Sequence, residues 1–302
     1  MSTLSRLPDL AAVRRRAGTV LFERVAGPDG AENRHRIHAT PGPRWFEAGS
    51  PIQVVHGDAS MFVGGLRALL LQSLHPGAMS AVADHSGYRG DPWGRLARTS
   101  TFLAVTTFGT ADDAQAAVDT VRRIHGRIAG RTPAGDRYRA DDPDLLRWVH
   151  VAEVDSFLRA HQAFGVRPLD EAGADAYVLQ AGRVARSLGA TRVPGSVAEL
   201  ADALEEFRPA LGATDAAREA ARFLLHEPPI PVPLRPGYGL LVRAALGSLP
   251  VWALADLDVA RPGRVGRAAG LAAGHVGTRA IRWLLAAQGD VPRPATPLPH
   301  AA

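Results

Sequence analysis

The chain contains no lysine; all 35 residues in its Lys+Arg total are arginine. That absence excludes Schiff-base chemistry with pyridoxal phosphate or a carbonyl substrate, and it excludes the phosphate-cradling GxxxxGK(S/T) loop. Cysteine is absent as well, which removes disulfides, iron–sulfur clusters and thiolate ligation. A metal must then be held by imidazole, carboxylate or other nitrogen and oxygen donors. Long apolar runs are missing too. The most apolar late stretch, 239–255, is interrupted by Arg243 and Pro250 and falls short of the roughly 20 clean residues that span a bilayer. The opening MSTLSRLPDLAAVRRR lacks the continuous apolar segment of a secretion signal. The expectation is a soluble cytoplasmic protein with no membrane span.

What is present is a 302-residue chain with 46 % hydrophobic residues and a net charge of +5, long enough to bury a core that houses a ligand. The basic surplus contains no run with interleaved aromatics, and the triplet Arg14–Arg16 reads as a solvated turn, so no nucleic-acid partner is expected. Every strong start signal belongs to a helix. Asp91–Pro92 and Asp142–Pro143 each place an N-cap aspartate before a first-turn proline, Thr110 and Asp113 form a T-x-x-D start, and Ser196 with Glu199 forms an S-x-x-E box ahead of a helix over 197–207. The run 58–74 carries Met61, Leu66, Leu69, Leu70 and Leu74 at helical spacings. Its Gly64–Gly65 pair either kinks the helix or admits a neighbouring backbone, and Pro76 reads as a stop.

Strand evidence is limited to pieces such as 18–25 and 102–108, equally consistent with buried helix. The proline-rich HEPPIPVPLRPG (226–237) reads as an extended loop. These signals together predict an all-α chain with an N-terminal arm over 1–45 that includes a helix near 9–25. A single helical domain follows over 46–290, and then a disordered tail over 291–302.

Eleven histidines invite a metal reading, yet there is no HExxH, and His35 and His38 lie in a polar segment. His125 differs. With 114–129 helical, Val118, Val121, His125 and Ile128 share a face, so the imidazole is expected to point inward. His150, in WVH (148–150) with Leu146, Val154 and Phe157 near its face, competes with it. Either is an ordinary hydrogen-bonded core histidine unless something buried needs a ligand. One neutral imidazole suffices to ligate a haem iron, and periodicity does not rank the two.

The residues also carry a resemblance. GDASMFVGGLRALLLQSLHPGAMSAVADHS (57–86), DPWGRLARTSTFLAVTTFG (91–109), HGRIAG (125–130) and YRADDPDLLRWVH (138–150), with the later LLHEPPIPVPLRP and LGSLPVW, resemble in order the oxygenase family of the bacterial latex-clearing proteins (rubber oxygenases) and the fungal mycophenolic-acid-pathway oxygenase. The similarity runs over roughly 45–290. It implies a globin-like helical bundle with additional surrounding helices, binding one haem b through a single proximal histidine and activating O2 on the distal side. The family's distal R-x-x-K-T string corresponds to Arg95, Arg98 and Thr99. The proximal ligand maps to His125, with His150 as the alternative or as a partner behind it.

Two departures limit the transfer. Arg98 stands where rubber oxygenases have lysine, and a guanidinium stays protonated and cannot ligate iron. No glutamate matches the base of rubber cleavage; Asp84 and His85 lie nearest in sequence. The function implied is a haem-b-dependent oxygenase or dioxygenase acting on an apolar, isoprenoid-like or alkene-containing small molecule, by C=C cleavage or oxygen insertion. Arg95, Arg98 and Thr99 would serve distal oxygen chemistry. A cleaving dioxygenase needs only substrate and O2, whereas a hydroxylating enzyme would need an electron donor or peroxide. The alternative is a non-catalytic haem-binding sensor, carrier or store. Oligomeric state is left open.

Overall fold

The computed structural model describes residues 9–87 and 89–289; the tail expected over 291–302 lies outside the described residues. The chain is all-α, with fourteen α-helices and one small hairpin among the described residues. The helices are α1 (Leu10–Ala26), α2 (Gly30–Ala39), α3 (Pro51–His56), α4 (Met61–Gln72), α5 (Pro76–His85), α6 (Pro92–Phe108), α7 (Ala111–His125), α8 (Pro143–Phe164), α9 (Glu171–Leu188), α10 (Val197–Phe207), α11 (Asp215–His226), α12 (Arg235–Ser248), α13 (Val251–Asp256) and α14 (Arg264–Leu285). The hairpin pairs β1 (Ala129–Arg131) with β2 (Arg137–Arg139), antiparallel, with Gly130 opposite Tyr138.

The start signals form as local chemistry dictates. Asp91 accepts from the Gly94 amide, Thr110 from Asp113, Asp142 from Asp144 and Leu145, and Ser196 from Glu199. Each cap satisfies amides that the first turn leaves without an intrahelical partner. Pro76 does not simply stop a helix. It occupies the first turn of α5, where its missing N–H costs nothing. Segments 18–25 and 102–108 are helical, and the proline-rich stretch is irregular only to Pro231, passing through a 3-10 turn (Val232–Leu234) into α12.

Helix α8 is the spine. It packs on α4 along most of its length and on α9, α10 and α3, and Trp148, Val151, Ala152, Ser156 and Ala160 on it are fully buried. The Gly64–Gly65 question resolves into a close approach: a Cβ on Gly64 would lie 2.9 Å from the Phe157 ring and 3.2 Å from the Phe157 Cα, while Gly65 has open space. Arg67 of α4 fastens this contact. Its guanidinium pairs with Asp155 at 2.7 Å, donates to the Ser156 hydroxyl at 2.7 Å and reaches the Ser248 carbonyl at 3.2 Å, thereby joining α4, α8 and α12.

A second core lies where α12 and α14 close on α4 and the end of α8. Arg282 of α14 pairs with Asp58 just ahead of α4 at 2.8 Å. Gly274 admits the buried Phe164, whose ring would be 2.3 Å from an added Cβ. Gly274→Ala is therefore expected to lower stability by about 1–3 kcal/mol in urea titration, the usual cost of overpacking, and Phe164→Leu in the same chain should recover part of it. Residues ahead of α3 also pack: α1 lies against α6 and α14, and α2 against α6.

Candidate active site

Helix α6 packs on α1, α2, α3 and α7, whereas α8 packs on α3, α4, α9 and α10. Leu103 of α6, Val149 of α8 and Val82 of α5 are partly buried against the main core, to which α8 also contributes the buried Trp148, Val151 and Phe157.

Four polar side chains gather where α3, α6, α8 and α9 meet. His56, the last residue of α3, lies 2.8 Å through Nδ1 from the Thr107 hydroxyl of α6 and 3.3 Å through Nε2 from the Tyr177 hydroxyl of α9. Its ring meets Phe157 and Tyr177 edge-on. Glu153 of α8 faces Tyr177 closely enough that its charge helps raise the phenol well above its ordinary range, after the larger effect of burial. Glu153 has no hydrogen-bond partner among the described residues, and burial pushes its carboxyl up to about 7. His56 and Glu153 are enclosed by packed helices, yet each keeps some accessible surface. Desolvation drives the His56 imidazole down to about 3, so it is neutral at physiological pH.

One turn before Glu153, His150 is buried and pushed down to about 4, chiefly by desolvation and then by the Arg186 guanidinium. Its Nε2 is buried without a hydrogen-bond partner. Native interiors rarely leave such an atom unpaired.

His125 is not within a continuing helix face as expected. Helix α7 ends on it, and Ile128 lies beyond the helix. The helix stops there because Gly126 and Arg127 turn the chain toward the hairpin. The imidazole is half-buried, and Ile124 beside it is exposed. Desolvation lowers the His125 pKa, opposed by the Asp141 carboxylate. Both candidate ligands are thus neutral, the form that binds a metal.

Arg95, Arg98 and Thr99 lie together on the first half of α6. Arg95 donates to the Ser86 hydroxyl at 2.8 Å. Arg98 is exposed and pairs with the capping Asp91 at 3.3 Å, and the Thr99 hydroxyl donates to the Arg95 carbonyl at 3.0 Å. Asp84 accepts from the Tyr138 phenol at 2.7 Å, which, after burial, contributes to pushing that phenol up to about 12. Elsewhere, the 340 Å³ depression lined by Arg147, Arg192, Glu199 and Glu206 is occupied by its own ion pairs: Glu206 holds Arg147 at 2.6 Å and Arg192 at 2.7 Å.

Residues 53–285 match the family model described as the catalytic domain of the ER-bound oxygenase mpaB/B' and rubber oxygenase. The chain belongs to this oxygenase family. Among curated proteins it is 30 % identical over 112 residues to the uncharacterized proteins Rv2237 of Mycobacterium tuberculosis and Mb2261 of Mycobacterium bovis. The match spans 37 % of this chain and 44 % of each relative. No solved structure matches. The matched span is the family's catalytic domain.

Sequence reasoning passed over Glu153, His56, Tyr177 and Thr107 in this oxygenase domain. Glu153 offered one usable signal: a carboxylate three residues after His150, within the apolar periodicity of WVHVAEVDSF. Tyr177 and Thr107 offered none, because their burial arises only when α9 and α6 close on α3. Among the described residues, no group of three or more His, Asp or Glu side chains converges as a metal site, and no helix is long and apolar enough to cross a membrane.

Proposed function

We propose that this chain is a haem-b-dependent oxygenase acting on an apolar, alkene-containing or isoprenoid-like small molecule, by C=C cleavage or oxygen insertion. The observation that carries the reading is the family match over 53–285. The donor chemistry inside that span agrees with it. A porphyrin brings four nitrogens of its own, so the protein has to supply only one imidazole. His125 and His150 are both neutral, and the orphaned Nε2 of His150 is the kind of buried atom that a bound group would satisfy. A bound haem would supply the dioxygen chemistry; the residues around it would supply the axial donor, charge and shape.

His125 is the proposed axial ligand, with His150 as the alternative or as a partner behind it. Arg95 and Arg98 would hold the two propionates or face oxygen-derived negative charge, through charge-assisted hydrogen bonds. Thr99 would turn its hydroxyl from the Arg95 carbonyl to orient a reactant or pass a proton. Glu153 would border the substrate space, its carboxyl, raised to about 7, able when protonated to donate a hydrogen bond that an ionised one cannot.

The test is the absorption spectrum of purified protein beside His125→Ala and His150→Ala. Wild type should carry a Soret band, His125→Ala should lose ligated haem, and His150→Ala should keep it with a shifted band. Loss in His150→Ala alone would transfer the axial role to His150. Colourless wild type after haem supplementation would overturn the haem reading, and a haem-loaded protein inert toward an alkene library under O2 would favour the non-catalytic carrier.

A further inference from the structure

Helix α14 departs from the ordinary pattern of a surface helix, which turns charge to water. Its inner face, including Gly270, Ala273, Gly277 and Ile281, is buried against its neighbours. On the opposite side, Val265, Ala269, Ala272, Val276, Ala280 and Trp283 align at helical spacing, and all are exposed. The stripe contains no charged residue and runs about 27 Å at 1.5 Å per residue. Its large members are far from marginal: Val265 is 84 %, Val276 58 % and Trp283 55 % exposed. Leu10 and Val13 of the adjacent α1 are exposed as well.

The charge around this stripe has one sign. Arg279 borders it on α14, Arg264 opens the helix, and neither α14 nor α12 contains a single carboxylate. Helices α1, α12 and α14, which pack together through α14, carry ten arginines against one acidic residue, Glu23. Asp9, which caps α1, lies 3.9 Å from Arg15. Of the arginines on α14, Arg282 turns inward to Asp58. The chain as a whole is only +5, so the basic excess is confined to this layer and the remainder is net acidic. Arg14 stacks over the Trp283 ring at 4.8 Å and donates to its carbonyl at 2.8 Å, fixing the indole at the edge of the basic field.

Such a face has two plausible classes of cover, and charge separates them. A second copy would set arginines against arginines along the same stripe. An anionic lipid surface would take the apolar stripe at the headgroup–acyl boundary and match the arginines with phosphate. We propose that this protein lies on anionic lipid bilayers through the outer face of α14, with α1 and α12 supplying flanking charge. It rests on the surface and does not span it.

The experiment is sedimentation of the full chain with phosphatidylcholine vesicles, with and without phosphatidylglycerol. The expected result is pelleting with the phosphatidylglycerol vesicles only, weakening as salt is raised. A blue shift in tryptophan emission should accompany binding and shrink in Trp283→Phe. Arg279→Gln should weaken binding roughly fivefold, the share of one surface cation, and Val276→Asp should abolish it while leaving the circular dichroism spectrum unchanged. No pelleting with the anionic vesicles overturns the proposal, as does equal pelleting with neutral ones or binding that survives Val276→Asp. A concentration-dependent dimer that Val276→Asp dissolves, without vesicle binding, also overturns it and assigns the face to a second copy. Neither readout needs haem or turnover, so failure here and failure of the oxygenase reading are distinguishable.

Discussion

Asp155→Ala is expected to lower the unfolding free energy by about 3–5 kcal/mol, the cost of leaving a buried charge without its partner. Arg67 is fully buried, and Asp155 sits 2.7 Å from it. Burial lowers the Arg67 pKa and the Asp155 charge opposes that shift, but a guanidinium does not shed its proton to escape the interior. Without Asp155 the cation keeps only the Ser156 hydroxyl and the Ser248 carbonyl, both neutral acceptors. The urea midpoint should fall sharply with little change in slope. Arg159 is a built-in control: it also pairs with Asp155 at 2.7 Å but its side chain is mostly exposed, so Arg159→Ala should cost no more than about 1 kcal/mol. The double change Arg67→Met with Asp155→Leu should recover most of the loss, since it removes both charges and fills the space.

Stability should also collapse in acid, with His56 as the largest contributor. Its pKa is about 3 in the folded protein against an ordinary 6.5. The stabilisation is fully present above pH 6.5 and is lost as pH falls toward 3, because the unfolded chain takes up a proton that the folded one refuses. At about 1.4 kcal/mol per pH unit this amounts to roughly 5 kcal/mol. His150, lowered to about 4, acts in the same direction. Glu153 acts in the opposite one: raised to about 7 from 4.5, it favours the folded state below pH 4.5 and loses that advantage as pH rises through 7. Together these groups place the optimum near pH 6.5. Urea midpoints measured from pH 7 to pH 4 for wild type and His56→Gln isolate the first effect. The difference between the two should change with pH across that range, and parallel curves would show that His56 charges as readily folded as unfolded.

The first prediction rests on a pairing and the second on burial, neither of which the order of residues reveals. The helix starts at Asp91, Thr110, Asp142 and Ser196 were legible because a cap closes within three residues. The motifs from Gly57 to His150 were enough to indicate the family, and the match over 53–285 agrees. His125 shows where periodicity fails: the apolar spacing continues through Ile128, but the helix ends at His125 because the following turn leads to a hairpin packed on α5. Nothing local marks that end.

The sequence by itself determined an all-α chain, its principal helix starts, its family, and the exclusion of lysine and thiolate chemistry. These follow from composition and from interactions that close within one or two turns. Only the tertiary structure decided that His56, Thr107, Tyr177 and Glu153 are neighbours, that Arg67 and Asp155 are partners, and that the apolar side of α14 faces outward. Burial and pairing depend on which helices meet, and those meetings join residues as far apart in sequence as Asp58 and Arg282 or Arg14 and Trp283, through surfaces that no local pattern encodes.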